Sequence, residues 1–528
     1  MSTHRSRQAH WAPLAAIAVL VVTVAACSGG GGAGGGGDDD DDGSSPIPTP
    51  ARPGWVVARL QLELLSIAEA DGNPGIVDIT TAPTGVKSLV GFSAADEVVY
   101  KISTTATTST GDLYAVNVDG TNDRLIAPGM LVHGWADGSH LIASKGPQYA
   151  RDVYVVPVDG TGEIALSADA TKDDQYEALS NGKVIVRRGT LGGNFDLYAI
   201  PALGGAAVQL TSETTEETFN GISASGRILY RTGTPPNYDV FSVTDAGTGK
   251  MTLASSVNDE TVAGILGDRV FIQETVPTMD ASEGNVYAVN ADGTSFVALS
   301  STVDVPENFV GVTAGGRALI NVQTGFMPLA YQLTSVPAAG GTGAILVDSD
   351  AGGFDLLVGE RVVYHRGSPS KLFAINADGT GLTTLVDTGV DPAPVGFGAG
   401  RILFTMAEAA TPKLWSVPIA GGTPVKLRPE AGSDTFEGAT YNFVVMSILD
   451  ASNKTNLVAV DVDGNNPRVL AGHADNESWK AFTPDGRVIF TRTTSFLDDV
   501  FIISHDASTP EISLTNRADK DIYLGFLP

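Results

Sequence analysis

One pattern of residues recurs through this chain and restricts its fold more than any other feature. NVYAVNADGTSFVALS from Asn285 and KLFAINADGTGLTTLV from Lys371 share alternating apolar residues, then N-A-D-G-T, then a second apolar run. The pattern returns as DLYAVNVDGTNDRLIA from Asp112, DVYVVPVDGTGEIALS from Asp152, DLYAIPALGGAAVQLT from Asp196 and DVFSVTDAGTGKMTLA from Asp239. It continues as KLWSVPIAGGTPVKLR from Lys413, NLVAVDVDGNNPRVLA from Asn456 and DVFIISHDASTPEISLT from Asp499. Aligned on one position these give Tyr114, Tyr154, Tyr198, Phe241, Tyr287, Tyr331, Phe373, Trp415, Val458 and Phe501, each 40 to 46 residues after the last. ELLSIAEADG sets Leu65 in the same place, which makes eleven units.

A steady period of this size, written in strands and turns with no helical pattern, is the signature of propeller blades. Asp-Gly at Asp119, Asp159, Asp292, Asp378 and Asp463 predicts tight hairpins of type I′, with Gly204-Gly205, Gly340-Gly341 and Gly421-Gly422 in the same role. A second set of apolar runs begins at Trp55, Glu97, His140, Lys183, Arg227, Arg269, Arg317, Arg361, Arg401, Phe443 and Arg487. Each unit therefore reads as a four-stranded meander. In D-L-Y-A-V, Tyr114 and Val116 point to one face while Leu113 and Ala115 point to the other, as blades stacked on both sides require. The fold class is all-β, a propeller of about eleven four-stranded blades.

The repeats open at Trp55 on what reads as a second strand, and DIYLGFLP at the other end reads as a first strand. Joining the two removes exposed sheet edges. Eleven blades exceed the usual ring of about 4–8. The longest interval between second strands, Arg269 to Arg317, spans 48 residues and favours two tandem rings, 55–316 and 317–528, over one large ring.

Upstream of the repeats, Arg5 and Arg7 precede an apolar run from Leu14 to Val24, too short to span a bilayer and shaped like a secretion signal. Val24-Ala25-Ala26-Cys27 closes it and holds the single cysteine of the chain. This stretch resembles the lipobox of bacterial lipoproteins. The resemblance implies a signal peptide over 1–26, lipid attachment at Cys27, and, with Ser28 rather than Asp following, the outer membrane of a cell that has one. Residues 27–54 read as a flexible Gly/Asp/Pro-rich tether, in which Asp38–Asp42 is a solvated spacer. No later apolar run is long enough to span a membrane.

The formal net charge is −28. Such a surface disfavours nucleic acid and anionic headgroups. With one cysteine, located in the lipobox, the repeats hold no disulfide and depend on packing.

Signatures of chemistry are sparse. H-E-x-x-H and Cys/His clusters are absent from the sequence. GISASG from Gly221 lacks the second glycine of G-x-S-x-G, so Ser223 reads as a turn residue. D-V-D-G-N-N from Asp461 lacks the ligand spacing of a calcium loop. His133, His140, His365, His473 and His505 fall in different repeats; His133 and His140 face each other across one hairpin and read as a solvated or satisfied pair. The arginines that open second strands, Arg227 through Arg401 and Arg487, are expected to pair with carboxylates.

AFTPDGRVIFTRTTSFLDDVFIISHD from Ala481, with VQLT at Val208 and ISLT at Ile512, resembles the TolB-type, WD-repeat-like propeller family. The resemblance covers nearly all of 55–528 and implies a fold, not an activity. TolB carries an α/β domain before its propeller and is not a lipoprotein, so its partners do not transfer. Prolyl-oligopeptidase-type enzymes place their nucleophile on an α/β-hydrolase domain, for which the repeats leave no room. The sequence expectation is a lipid-anchored, non-catalytic envelope scaffold, without cofactor or metal, that binds a protein or glycan partner. The alternative is a periplasmic or surface hydrolase or lyase that uses the propeller face.

Overall fold

The computed structural model describes residues 55–60, 63–68, 76–80 and, with short interruptions, 85–527. The leader, Cys27 and the tether with Asp38–Asp42 lie outside the described residues. Among the described residues the regular structure is entirely β, and no helix is long and apolar enough to cross a membrane.

The repeats fold as eleven antiparallel meanders of four strands. In the fifth blade the strands are Glu217–Ile222, Ile228–Thr234, Asn237–Val243 and Met251–Ala254, paired in chain order. The second and third blades share one long strand, Arg124–Asp137, whose start closes one meander and whose end opens the next. The aromatic position of the repeat lies on the third strand, and in several blades it meets an aromatic of the second strand directly opposite. Tyr100 stacks on Tyr114 at 5.3 Å, Tyr230 on Phe241 at 5.6 Å, Tyr364 on Phe373 at 5.4 Å and Phe490 on Phe501 at 5.3 Å.

Both faces of each third strand are buried against neighbouring blades. Leu113 and Ala115 pack with Leu141, Ala143 and Val156 of the third blade, while Tyr114 and Val116 pack with Ile79 on the other side. Shared cores of this kind link each blade to the next. Across the position of the expected two-ring junction, Phe271, Val286 and Leu299 of the sixth blade share a core with Ala318, Ile320 and Val336 of the seventh. The seventh and eighth are joined in turn through Leu319, Leu333, Val362 and Tyr364.

The C-terminal strand corrects the ring count. Asp521–Leu527 pairs antiparallel with Trp55–Leu60, so the first blade is made from both ends of the repeat region. That strand also packs against Leu497–Ile503 of the eleventh blade and Val86–Phe92 of the second. A second ring at 317–528 needs the strand beside Arg317–Phe326, but that place is taken by Glu307–Val312. The cycle of contacts closes once, as a single ring of eleven blades. The 48-residue interval that suggested a boundary is absorbed by a long hairpin, Arg269–Pro277 with Ser282–Asn290.

The turn chemistry also differs from expectation. At Asn117–Gly120 the Gly120 N–H donates to the Asn117 carbonyl at 2.9 Å, and the Asn117 N–H to the Thr121 carbonyl at 3.0 Å. Gly120 has φ of 80°, whereas Asp119 is not among the residues with positive φ. This is a type I turn closed by a left-handed glycine, the three-residue hairpin, rather than type I′. The Asp119 carboxylate accepts from the Thr121 N–H at 2.9 Å and its hydroxyl at 2.6 Å, which lowers its pKa. Asp159 with Thr161, Asp292 with Thr294 and Asp378 with Thr380 repeat the arrangement. D-G-T is therefore a turn in which each residue has a separate task.

First strands carry a feature that the sequence reading passed over: a β-bulge, most often followed by glycine. The register shifts between Phe219 and Gly221, Val262 and Gly264, Phe309 and Gly311, Pro394 and Gly396, and Phe436 and Gly438. A Cβ on Gly264 would lie 2.9 Å from the Phe309 ring of the next blade, while one on Gly134, at the same place in the third blade, would meet nothing within 4 Å. Gly264→Ala is expected to destabilise the protein by about 1–3 kcal/mol through overpacking. Gly134→Ala is expected to be neutral or slightly stabilising. Equal melting temperatures for the two variants would refute this account of the bulge.

Candidate functional site

On one face of the ring the first and third strands begin and the second and fourth end. Four residues before the bulge, most first strands place an acid on that face. Asp174, Glu217, Glu260, Glu307, Asp434 and Glu477 are all buried, at 0 to 2% exposure. Read with their bulges they spell acid-x-aromatic-x-Gly in E-T-F-N-G, E-N-F-V-G and D-T-F-E-G, with looser copies in E-T-V-A-G, D-Q-Y-E-A and E-S-W-K-A. The signal stands at the same period as D-G-T and could have been found with it.

These acids and their neighbours hold blades together. Asp173 accepts from the Arg151 N–H at 3.0 Å, Asp434 from the Leu414 N–H at 3.2 Å, and Asn476 from the Thr455 N–H at 3.1 Å. The bonds to Arg151 and Thr455 cap the start of the preceding blade's third strand, and the bond to Leu414 falls within it. Within a blade the same strands are capped from the fourth, where the Val153 N–H donates to Ser167 Oγ at 2.8 Å and the Leu197 N–H to Thr211 Oγ1 at 2.7 Å. That explains the Leu-Ser and Leu-Thr endings of the repeat. Cations pair with several acids: half-buried Arg188 with Asp174 at 2.6 Å, and buried Arg428 and Arg492 with Asp434 at 2.7 Å and Glu477 at 3.2 Å.

In the fifth and sixth blades the acid is held without a cation among the described residues. Glu217 touches Glu213, which is also held by Lys250 and by the Tyr230 hydroxyl at 3.1 Å. Burial, the hydrogen bond to Glu213 and the charges of Asp196 and Glu213 push Glu217 up to about 9. Burial acts on Glu213 as well, but the proton on Glu217 and the Lys250 ammonium bring it down to about 2. In the sixth blade Glu274 accepts from Ser256, Asn258, Asn285 and Tyr287 at 2.8 to 2.9 Å. Its neighbour Glu260 is buried, and burial, then the charges of Asp239, Glu274 and Asp259, push it up to about 7 against the opposing pull of Ser256. Among the described residues no group of acids and histidines is arranged to hold a metal ion.

The pattern breaks at the ninth blade, where Pro392 occupies the acid position and Asp391 precedes it. Asp391 still caps the eighth blade by accepting from the Ser370 N–H. The missing long carboxylate leaves a cleft of about 470 Å³ between the two blades, lined by Asp355, His365, Ser370, Asp391 and the apolar run Pro392-Ala393-Pro394. His365 Nδ1 lies 2.8 and 3.0 Å from the two oxygens of Asp355. Burial raises the Asp355 pKa against the opposing pull of His365. Ser370 is 9% exposed and its hydroxyl has no hydrogen-bond partner.

Other residues singled out from sequence have structural places. Ser223 Oγ accepts from the Arg227 N–H at 3.3 Å within a turn. His133 and His140 are not a pair: His133 bonds Ser144 at 2.9 Å and stacks on Tyr176, whereas His140 bonds Asp137 at 2.9 Å. His505 stacks on Phe443 at 4.4 Å, and His473 lies outside the described residues. The Asp461 segment is a hairpin turn in which Asp463 accepts from the Asn465 N–H at 3.0 Å. Of the strand-start arginines, Arg227, Arg269, Arg317, Arg361 and Arg401 donate to carbonyls, hydroxyls or an amide oxygen instead of carboxylates. Arg317 reaches Ser335 Oγ and the Ala377 carbonyl of the next blade, each at 2.8 Å, and Arg401 reaches Ser416 Oγ at 2.9 Å. Bridging a neighbour's backbone needs a donor at a fixed height in the blade, and arginine supplies several.

No protein-family model matches the chain, and no curated protein matches it. Among solved structures it is similar to a chain from a mechanistic study of two prolyl endopeptidases, at 14% identity over 64% of this chain and 54% of that one, TM-score 0.32. It is also similar to the tricorn protease, at 14% identity over 86% of this chain and 49% of that one, TM-score 0.28. The chain spans about half the length of each, and the protease activities named belong to those proteins.

Proposed function

We propose that this chain is a tethered, non-catalytic binding scaffold of the cell envelope, with TolB-like repeats and with Cys27 as its lipid anchor. The partner, a protein or glycan, docks on the acid-bearing face. The observation that carries this reading is the cleft between the eighth and ninth blades. It is a concave site of the size that receives ligand groups, with convergent polar atoms beside an apolar run, on the acid-bearing face. A lipidated tether would give such a face reach from a membrane, and two acyl chains are what stable attachment requires.

Two experiments test the proposal. Cys27→Ala is expected to move the protein from the membrane to the soluble fraction; continued membrane attachment removes the anchor. Affinity capture from crosslinked envelopes, using the soluble form begun at Gly54, is expected to retain a specific partner at low salt and to release it at high salt. Recovering no partner while the purified protein turned over a peptide or glycan would favour the hydrolase reading.

That second reading has one observation in its favour: Ser370, His365 and Asp355 line the same cleft. The Ser370 hydroxyl is screened from solvent and makes no bond to His365, so the nucleophile–base contact of such enzymes is not formed. A serine-directed fluorophosphonate is expected to leave Ser370 unlabelled.

A further inference from the structure

Resting on the binding reading above, we infer that the cleft between the eighth and ninth blades is a receptor for a cationic side chain, a lysine or arginine presented by a polypeptide partner. The chemistry follows from what lines it. Asp391 spends one oxygen, Oδ1, on the Ser370 N–H, and its other oxygen carries no bond to the protein. Asp391 is exposed, so that oxygen is open to an incoming donor. The Ser370 hydroxyl is nine-tenths buried, unpartnered and part of the same wall, so it offers a second acceptor whose desolvation has already occurred.

Asp355 contributes a further negative charge, tempered and oriented by His365 at 2.8 Å. The nearby ammonium of Lys371 is held by Asp387 at 2.7 Å and does not oppose a second cation. Pro392, Ala393 and Pro394 form a floor without N–H donors at the prolines, suited to the methylene stem of a long basic side chain. The long-range field agrees, since a chain of net charge −28 draws cations to its surface. Lining of this kind repels an anionic or acidic ligand and gives a neutral one no reason to prefer this cleft over other grooves.

The test uses a fluorescent, capped pentapeptide with one central arginine and its citrulline twin, which keeps the shape and hydrogen-bonding surface but removes the charge. Binding to the full repeat region is measured by anisotropy at low salt. The arginine peptide is expected to bind at least tenfold more tightly than the citrulline peptide. Asp391→Asn preserves the acceptor for the Ser370 N–H and is expected to weaken the arginine peptide about tenfold. Glu216→Gln removes an exposed charge on the fifth blade and is expected to change affinity less than twofold. Ala393→Phe, which fills the floor without altering charge, is expected to abolish binding, and unchanged melting temperatures establish that both cleft variants are folded. Equal effects of Asp391→Asn and Glu216→Gln, or equal binding of the two peptides, would overturn the inference. If the peptides fail while envelope capture still yields a partner, the scaffold reading stands and the partner docks elsewhere.

Discussion

A chain ending at Lys520 is expected to lose ordered structure at both sides of the ring seam. In the intact protein Asp521–Leu527 is the first strand of the first blade, hydrogen-bonded along Trp55–Leu60 and packed between the eleventh and second blades. Removing it leaves a row of unpaired backbone groups on Trp55–Leu60 and opens a closed ring into an arc with two edges. Hydrogen exchange should accelerate first at Trp55–Ala68 and Val86–Phe92, next at the eleventh blade, and least near the seventh. A two-ring protein would instead lose protection around Arg317–Val347. Unchanged exchange at both places would show that the ring does not depend on this strand. The cooperative unit is the whole cycle, so the melting temperature should fall by many degrees and the thermal transition should broaden as blades uncouple from one another.

Much of this architecture could be read before any coordinates, for a physical reason. A blade buries both faces, so its third strand must be apolar on both, and its hairpins need residues that tolerate tight turns; both requirements are local and leave marks at a fixed period. The positions beginning at Trp55 and His140 open second strands, and Tyr114 to Phe501 fall on third strands, although in the seventh blade Thr334 and not Tyr331 takes the place of Tyr114. Ring number is not local. Whether Asp521–Leu527 meets Trp55 or a strand in mid-chain depends on the angle accumulated over every blade, which no single unit records. The turn type was missed because Asp-Gly serves both hairpin geometries, and only Thr121, by occupying the Asp119 carboxylate, marks the longer one.

The cleft shows the complementary limit. Its position is marked by an absence, the proline at 392 where six other blades carry a buried acid, and that absence has meaning only once the acid-x-aromatic-x-Gly pattern is recognised. Asp355, His365 and Asp391 lie in two blades, so their convergence is a product of packing. The arginines were misassigned for a related reason. In an acidic chain a carboxylate is the expected partner, but Arg317 faces the neighbouring blade's Ala377 carbonyl, and charge composition carries no information about backbone position.

Stability is expected to fall as pH rises from about 5 to 9, and the fall should be largely removed by Glu217→Gln together with Glu260→Gln. Both acids are held well above the ordinary value of 4.5, Glu217 at about 9 and Glu260 at about 7. A raised carboxyl binds its proton more tightly in the folded state than in the unfolded one. Below pH 4.5 both states are protonated and there is no penalty. Between 4.5 and the folded value, the unfolded chain ionises while the folded one does not, so each unit of pH favours unfolding. For Glu260 the loss is complete near pH 7 and is on the order of 3 kcal/mol at 1.36 kcal/mol per unit. For Glu217 it continues to about 9, and Glu213, held at about 2 and already ionised, does not offset it in this range. Glutamine keeps the shape and the neutral form. Glu260→Gln alone should remove the step ending near pH 7, leaving the shallower decline to 9 that Glu217→Gln removes. A melting temperature that holds constant or rises from pH 5 to 9, or that falls as steeply in the double variant as in the natural chain, would show that these two acids are not what the inter-blade packing keeps protonated.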